Sequence, residues 1–527
     1  MPDWWRTGTI YQIYPRSFQD SNDDGIGDLD GIRQRLDYLL WLGIDAIWIS
    51  PIYPSPMYDF GYDITDYCGI DPIFGSLESF DCLIHEAHQK QLKVILDFVP
   101  NHTSSLHPWF EASRRSRDDP KRDWYIWRDP APDGGPPNNW IGNFGGSAWT
   151  LDEGTGQYYY HAYLAEQPDL NWRNPGVRAA MHDVLRFWLR RGVDGFRVDV
   201  MWHLIKDAAF RDNPPNPAWT RDKPEIDRLL QIYSSDQPEV HEVVFGIRKV
   251  IEEFKDRVLI GEIYLPIEKL VAYYGKNLTG AHLPFNFQLL NTVWTAFDIA
   301  ELIESYEAAL PQGGWPNWVL SNHDRPRIAA RVGPEQARIA AMLLLTLRGT
   351  PTLYYGDELA IGHVEVPANL VRDPWAKREP GLGVGRDPSR TPMQWDASIF
   401  AGFSHHEPWL PLTSDHKLRN VLAMREDETS MLFLVRTLLH YRCAHSALTE
   451  GAWRLVSRNS DVLAYERHKG DESLIVILNF NRSSQVWRAP ASVKGRVAIS
   501  THGGRRGEPV ASVLSLRPNE GVLIEVT

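Results

Sequence analysis

The sequence predicts an α/β fold: a (β/α)8 TIM barrel, with a small domain inserted after strand 3 and a C-terminal antiparallel β-sandwich domain. Three observations predict it. Short β-branched runs that end in polar or acidic residues alternate with amphipathic helical segments, the pattern of a parallel barrel rather than an open doubly wound sheet. A long stretch rich in Trp, Pro, Gly and Asn interrupts that repeat once. Towards the end of the chain the pattern changes to short alternating runs separated by turn residues.

In chain order the strand candidates are GTIYQIYP, IDAIWISP, KVILDFVPNH, GFRVDV, RVLIGEIY, the weaker AHLPFNFQL from Ala281, WVLSNHD and TPTLYYGDE. Between them lie segments such as GIRQRLDYLLWLG, where Ile32, Leu36, Leu39 and Leu40 recur at helical spacing. Residues 1–102 and 169–445 are assigned to the barrel. Residues 103–168, with DPAPDGGPPNNWIGNFGGSAW, are too long for an ordinary connection and form the inserted domain over one rim. Residues 446–527, with DVLAYERH, SLIVILNF, GRVAIS and GVLIEV, form the separate β domain.

Composition excludes several partners. A chain of 527 residues, 43% hydrophobic, has ample apolar surface for several domains, but its longest apolar runs fall short of the roughly 20 residues a bilayer crossing needs. No leader is evident, so a soluble, cytoplasmic protein made without export is expected. The formal charge of −13 argues against nucleic acid and anionic membranes. Cys68, Cys82 and Cys443 are scattered and lack metal-ligand spacing, which fits free thiols. No glycine-rich dinucleotide or phosphate loop is present, so no organic cofactor is expected. The 21 tryptophans and 21 tyrosines suit surfaces that stack on sugar rings, as they suit a core.

In a parallel barrel the side chains at the carboxyl ends of the strands converge on one mouth. Here those ends are acidic: Asp97, Asp199, Glu262 and Asp324, with His102 and His323 beside the first and last. Arg197 and Asp199 lie two apart in GFRVDV and point to the same side, so the guanidinium is expected to lower the pKa of Asp199 and keep it ionised. Glu262 follows an apolar strand, and desolvation with nearby carboxylates raises its pKa. A base-like and an acid-like carboxylate are the pair that glycosidic bond cleavage uses, with Asp324 available to stabilise positive charge on the sugar ring.

DFVPNH, GFRVDV, GEIY and NHD, in that order, resemble four signature regions of glycoside hydrolase family 13, the α-amylase family, in its α-glucosidase and oligo-1,6-glucosidase branch. GIDAIWISP, QPDLNW and GTPTLYYGDEL resemble three more, GRDPSRTPMQWD resembles a segment characteristic of the branch, and the likeness covers essentially the whole chain. The resemblance implies that Asp199 is the nucleophile, Glu262 the general acid and then base, and Asp324 the carboxylate that binds and strains the ring. It implies a substrate-binding set of Asp59, Tyr62, His102, Arg197, His323 and Arg390, with Asp59 and Arg390 at the closed, exo-acting end. Phe144 in NFGGSAW is read either as an apolar wall of the sugar site or as packing within the inserted domain. The partners implied are small α-glucosides: maltose-like disaccharides, short oligosaccharides and sucrose. The chain itself is expected as a monomer or homodimer.

The segment DSNDDGIGD places Asp20, Asn22, Asp24, the Ile26 carbonyl and Asp28 at positions 1, 3, 5, 7 and 9 of a calcium-type loop. Gly31 stands where the bidentate glutamate of an EF-hand belongs. The same residues also suit an Asx-turn with Asp28 capping the following helix. The resemblance implies a structural Ca2+ or Mg2+ here that orders the loop and does no chemistry.

An α-glucosyltransferase or a sucrose or trehalose isomerase on the same scaffold is the competing enzymatic reading, because sugar or alcohol can intercept a glucosyl-enzyme in place of water. A non-catalytic scaffold subunit is disfavoured by the retained carboxylates. Val200 resembles the α-1,6-preferring members, whereas the MWHLIKD and FRDNPPNP segments depart from them, which leaves linkage open with a lean to broad or α-1,4 activity.

Overall fold

A computed structural model describes residues 3–489 and 493–527. In chain order the first strands are β1 (Ile10–Ile13), β2 (Ala46–Ile49) and β3 (Lys93–Phe98). The connection after β3 carries β4 (Trp127–Arg128), β5 (Trp149–Asp152) and β6 (Gln157–Tyr160), which form a three-stranded antiparallel sheet in the order β4-β6-β5. Then follow β7 (Gly195–Val198), β8 (Val258–Ile263), β9 (Leu283–Asn286), β10 (Asn317–Val319) and β11 (Thr350–Tyr354).

The eight strands outside the inserted sheet pair in parallel in the order β10-β11-β1-β2-β3-β7-β8-β9, a near-closed barrel. They are buried almost throughout because helices cover the outside and side chains fill the inside; Trp48, Ile95, Val258, Ile260 and Phe285 belong to the interior cluster. Gly195 allows the close approach of β7 to β8, since a Cβ there would stand 2.5 Å from the Val258 carbonyl oxygen.

The weak eighth strand is real, and its weakness has a cause. Pro284 gives β9 no N–H at its centre, and no backbone ladder joins β9 to β10. The Asn317 side chain closes that seam: its Oδ1 accepts from the Asn286 backbone N–H at 2.9 Å and its Nδ2 donates to the Pro284 carbonyl at 2.5 Å.

The first helical segment departs from the single helix its periodicity predicts. It runs as Leu29–Gln34 and Leu36–Leu42, broken at Arg35, whose ψ of 6° is non-helical. The Arg35 side chain is drawn away from the helix, donating through Nε to Gln19 Oε1 at 2.7 Å and covering the Trp395 ring at 4.1 Å. The longer helices begin regularly. Asn174 caps Pro175–Arg190 by accepting from Gly176 N, and Ser76 caps Leu77–Gln89 by accepting from Ser79 N.

The C-terminal region holds β12 (Ala452–Arg458), β13 (Val462–Lys469), β14 (Glu472–Asn479), β15 (Gln485–Arg488), β16 (Gly495–Ser500), β17 (Pro509–Val510), β18 (Val513–Leu516) and β19 (Gly521–Val526). Six form an antiparallel sheet, β12-β13-β14-β19-β16-β17, and β15 with β18 forms a two-stranded ribbon. Ile475, Ile477, Val522 and Ile524 of the sheet share one apolar cluster with Trp487, Leu514 and Leu516 of the ribbon. The alternate residues Leu474, Val476, Leu478 and Leu523 join the barrel's core instead. Among the described residues no helix is long and apolar enough to cross a membrane, and Cys68, Cys82 and Cys443 are free thiols.

Candidate active site

The carboxyl ends of β3, β7 and β8 meet at one side chain. Arg197, fully buried on β7, donates through Nη1 to Asp97 Oδ1 at 2.7 Å and to Asp199 Oδ1 at 2.8 Å, while its Nη2 lies 2.8 Å from Glu262 Oε2. Asp97 also accepts from Tyr62 Oη at 3.0 Å and Trp48 Nε1 at 3.3 Å. Directly after Asp199 the chain turns through Val200 in the left-handed region, φ 37° and ψ 48°, and the Val200 N–H donates to Glu262 Oε2 at 2.8 Å.

Three carboxylates around one guanidinium leave the group with surplus negative charge, and this reverses one sequence-based expectation. Burial pushes Asp199 up, and the neighbouring Glu262 charge pushes it further, against the pull of Arg197. Arg197 alone therefore does not hold Asp199 low. Burial also pushes Glu262 up, with Arg197 opposing. The two carboxyls titrate as a pair that favours holding a proton between them.

Asp324 is the opposite case. Burial would raise it, but His323, Arg386 and Arg390 together hold it below the ordinary aspartate range. His323 is itself pushed by burial to about 3 and is neutral near pH 7, so the compensating charge comes from the two arginines. Arg390 Nη2 is 2.9 Å and Arg386 Nη1 3.3 Å from Asp324 Oδ1. His323 Nδ1 faces the Gln12 amide nitrogen at 2.8 Å and its Nε2 faces Tyr62 Oη at 2.6 Å, with the Tyr62 and His323 rings stacked 5.3 Å apart. A Gln12 donor makes Nδ1 the acceptor and Nε2 the protonated nitrogen.

These groups border a cavity of about 620 Å³. Of the residues expected at the site, Asp59, Tyr62, His102, Phe144, Asp199, Glu262 and Asp324 line it. Arg197, His323 and Arg390 are fully buried behind that wall. Arg390 thus departs from its expected place at the closed end: it braces Asp324 and donates through Nε to the His323 carbonyl at 2.8 Å. Arg386, four residues earlier, occupies the cavity wall instead. Its Nη2 donates to Asp59 Oδ1 and to Asp373 Oδ1, each at 2.6 Å, and its guanidinium covers the Phe144 ring at 4.8 Å. Phe144 both lines the cavity and packs against Tyr163 and Trp375, so its two readings hold together. His102 faces the Tyr62 carbonyl and Gln167, and burial lowers it to about 4.

Sequence reasoning missed Arg386, Tyr163, Trp375 and Trp202. The GRDPSRTPMQWD segment was the signal for the first, since it holds two arginines and either spacing brings one to the barrel mouth. Trp202 stands three residues beyond Asp199.

The DSNDDGIGD loop is organised by its own amides. Asp20 Oδ1 accepts from Asn22 N and Asp23 N and its Oδ2 from Gly25 N; Asp24 Oδ1 accepts from Ile26 N; Asp28 Oδ1 accepts from Gly31 N and caps the helix. Among the described residues no three His, Cys, Asp or Glu side chains converge as metal ligands. The donor chemistry still suits a hard cation: the loop offers only oxygens, Asp20 and Asp28 are both buried, and burial with the Asp20 charge raises Asp28.

The family described as "Alpha amylase, catalytic domain" matches residues 12–451. The chain belongs to that family. It is a glycoside hydrolase by that membership, and its similarity to known proteins runs nearly end to end. A "Probable alpha-glucosidase" of Rhizobium meliloti (strain 1021) is 41% identical over 517 residues, covering 95% of this chain and 93% of the relative. An "Oligo-1,6-glucosidase" of Parageobacillus thermoglucosidasius is 37% identical over 525 residues, covering 92% of each. Among solved structures, an "alpha-glucosyl transfer enzyme" superposes with a TM-score of 0.94 at 38% identity, over 100% of both chains.

Proposed function

We propose that this glycoside hydrolase is an exo-acting, retaining α-glucosidase that releases α-glucose from the non-reducing end of short α-glucosides. Asp199 attacks the anomeric carbon while Glu262 protonates the leaving oxygen, and a covalent β-glucosyl-enzyme forms. Water, deprotonated by Glu262, then displaces Asp199 and restores the α configuration. The observation that carries the reading is the single Arg197 guanidinium 2.8 Å from both carboxylates on one cavity wall, which supports the separation of about 5 Å that double displacement uses. The raised pair supplies the acid for the first step. Once Asp199 is esterified its charge is gone, and Glu262, having given its proton to the leaving oxygen, is free to act as the base.

Asp59 and Arg386 are paired and buried on the cavity wall, and a wall closed by that pair supports attack on the terminal glucose only. Asp324, held ionised by the two arginines, is proposed to grip the ring hydroxyls. A proton NMR time course on maltose tests the whole reading: α-glucose appears first, and Asp199→Asn abolishes it. Initial release of β-glucose would overturn the mechanism.

A second outcome of the same intermediate is transfer to another alcohol, supported by the likeness to the alpha-glucosyl transfer enzyme. We also propose that the DSNDDGIGD loop holds one structural Ca2+ or Mg2+ through Asp20, Asn22, Asp24, the Ile26 carbonyl and Asp28, which would neutralise the loop's buried carboxylates and take no part in the reaction. The free cysteines support a cytoplasmic protein.

A further inference from the structure

The residues that line the cavity fall into two chemically different sets. One, Asp59, Tyr62, His102, Asp324 and Arg386, is largely buried and offers polar and charged groups to a sugar. The other, Trp202, Ile226, Leu230, Ile232, Leu265 and Pro266, is apolar and on the whole more exposed, and is taken as the outer half of the lining. Leu230 and Ile232 are 42% and 48% exposed, an arrangement that costs free energy unless something apolar covers it.

The polar residues of the outer half are largely occupied within the protein. Gln231 Nε2 donates to the Ile226 and Leu229 carbonyls at 3.2 Å, and its Oε1 accepts from Ser234 Oγ at 2.5 Å. Ser235 Oγ donates to the Gln231 carbonyl at 3.0 Å, and Lys269 Nζ is paired with Asp236 Oδ2 at 2.7 Å. Arg325 lays its guanidinium over the Tyr264 ring at 5.0 Å. Asp227, the edge of Arg325 and His203, whose Nδ1 has no partner within the protein, remain to meet a hydroxyl. The second glucose of maltose is seated here as the leaving group with few partners for its hydroxyls, whereas an aryl or alkyl alcohol needs only one polar contact and apolar walls.

We infer that the acceptor side of this site is built for apolar alcohols, so that the enzyme transfers glucose to an aromatic or aliphatic alcohol in preference to a sugar. This inference rests on the covalent glucosyl-enzyme proposed above. In the step, the alcohol oxygen bonds to the anomeric carbon as the bond from that carbon to Asp199 breaks. The alcohol proton passes to Glu262, and Asp199 leaves as a carboxylate.

The test uses the intact enzyme with maltose as donor and equal concentrations of benzyl alcohol and methyl α-glucoside as competing acceptors, with all products quantified. Benzyl glucoside is expected to exceed the sugar transfer product by about tenfold or more. Leu230→Ser and Ile232→Ser are expected to lower that ratio about tenfold, and Leu418→Ser, an exposed leucine outside the cavity, to leave it unchanged. The ratio is read within one sample, so loss of folded enzyme cannot mimic its change. A preference for methyl α-glucoside, or cavity variants with the original ratio, overturns the inference while hydrolysis stands. Absence of glucose release from maltose overturns the hydrolase reading and this inference together.

Discussion

Val200, held at φ 37° in the left-handed region, gives its backbone N–H to Glu262 Oε2 at 2.8 Å. The residue after one carboxylate thus orients the other. That conformation is costly for a β-branched side chain, on the order of 1–2 kcal/mol, and it persists because the buried surroundings over-determine it.

This gives a stability comparison. Val200→Gly loses a buried side chain worth about 2 kcal/mol but relieves the strain, so the two effects largely cancel. Val198→Gly, on the extended strand β7, loses the burial and gains nothing. Differential scanning calorimetry should show a clear fall in Tm for Val198→Gly and a much smaller one for Val200→Gly. Equal falls would mean that the turn after Asp199 stores no strain.

The shared guanidinium predicts the direction of a pH shift. On the proposed mechanism activity requires Asp199 ionised and Glu262 protonated; burial raises both, the Glu262 charge adds to the push on Asp199, and the Asp324 charge adds to the push on Glu262. The acid limb of kcat/KM therefore lies above the ordinary aspartate pKa of about 3.9. Asp97 competes for the same arginine and its charge adds to the upward push on both groups. In Asp97→Asn that push is gone and Arg197 serves two carboxylates, so both limbs should move to lower pH. A pH–rate profile whose limbs stay in place or move upward would remove Asp97 from the electrostatics of the pair.

The acidic strand ends were legible in the sequence because period two and parallel pairing decide which side chains reach the mouth: Asp97, Arg197, Asp199 and Glu262 follow from their places on β3, β7 and β8. Strand β9 was faint because Pro284 and Asn286 break its apolar run, and its closure depends on Asn317, 31 residues away from the amide it binds. Arg386 was not separable from Arg390, since both lie in an irregular loop where no periodicity assigns a facing. Which arginine reaches Asp59 is decided by Asp373, whose carboxylate takes Arg386 Nε at 3.0 Å and Nη2 at 2.6 Å and so aims the guanidinium. The split helix at Arg35 was invisible for a related reason: Trp395, which with Gln19 draws the Arg35 side chain away, is remote from it in sequence.

The two arginines should separate kinetically. Arg386 bridges Asp59 and Asp373 with a planar fork that a lysine ammonium cannot reproduce, and Asp59 lines the cavity. Arg386→Lys should raise KM for maltose about tenfold or more, the effect of weakening a buried, charge-assisted contact. Arg390 reaches no cavity surface and acts through Asp324 and the His323 carbonyl. Arg390→Lys should therefore lower kcat through a displaced Asp324, with a smaller effect on KM. If both substitutions change KM alike, the distinction between wall and support fails.

The DSNDDGIGD loop supplies the last prediction. Asp20 and Asp28 are buried, the Asp20 charge adds to the upward push on Asp28, and their oxygens keep lone pairs beyond those that accept the loop amides. A divalent cation that binds only the folded chain stabilises it by RT ln(1 + [L]/Kd), about 2.7 kcal/mol at a hundredfold excess over Kd. Gly31 leaves the site without the bidentate glutamate of an EF-hand, so the affinity should be modest and the effect easily reversed. EDTA should lower Tm, added Ca2+ or Mg2+ should restore it, and kcat at 25 °C should be unchanged because the loop lies outside the catalytic cavity. Asp24→Ala should remove the response to both chelator and cation. A Tm indifferent to EDTA, together with no divalent metal by elemental analysis, would leave the loop as a self-capped turn: Asp28 at the helix N-cap and Asp20 satisfied by three amides.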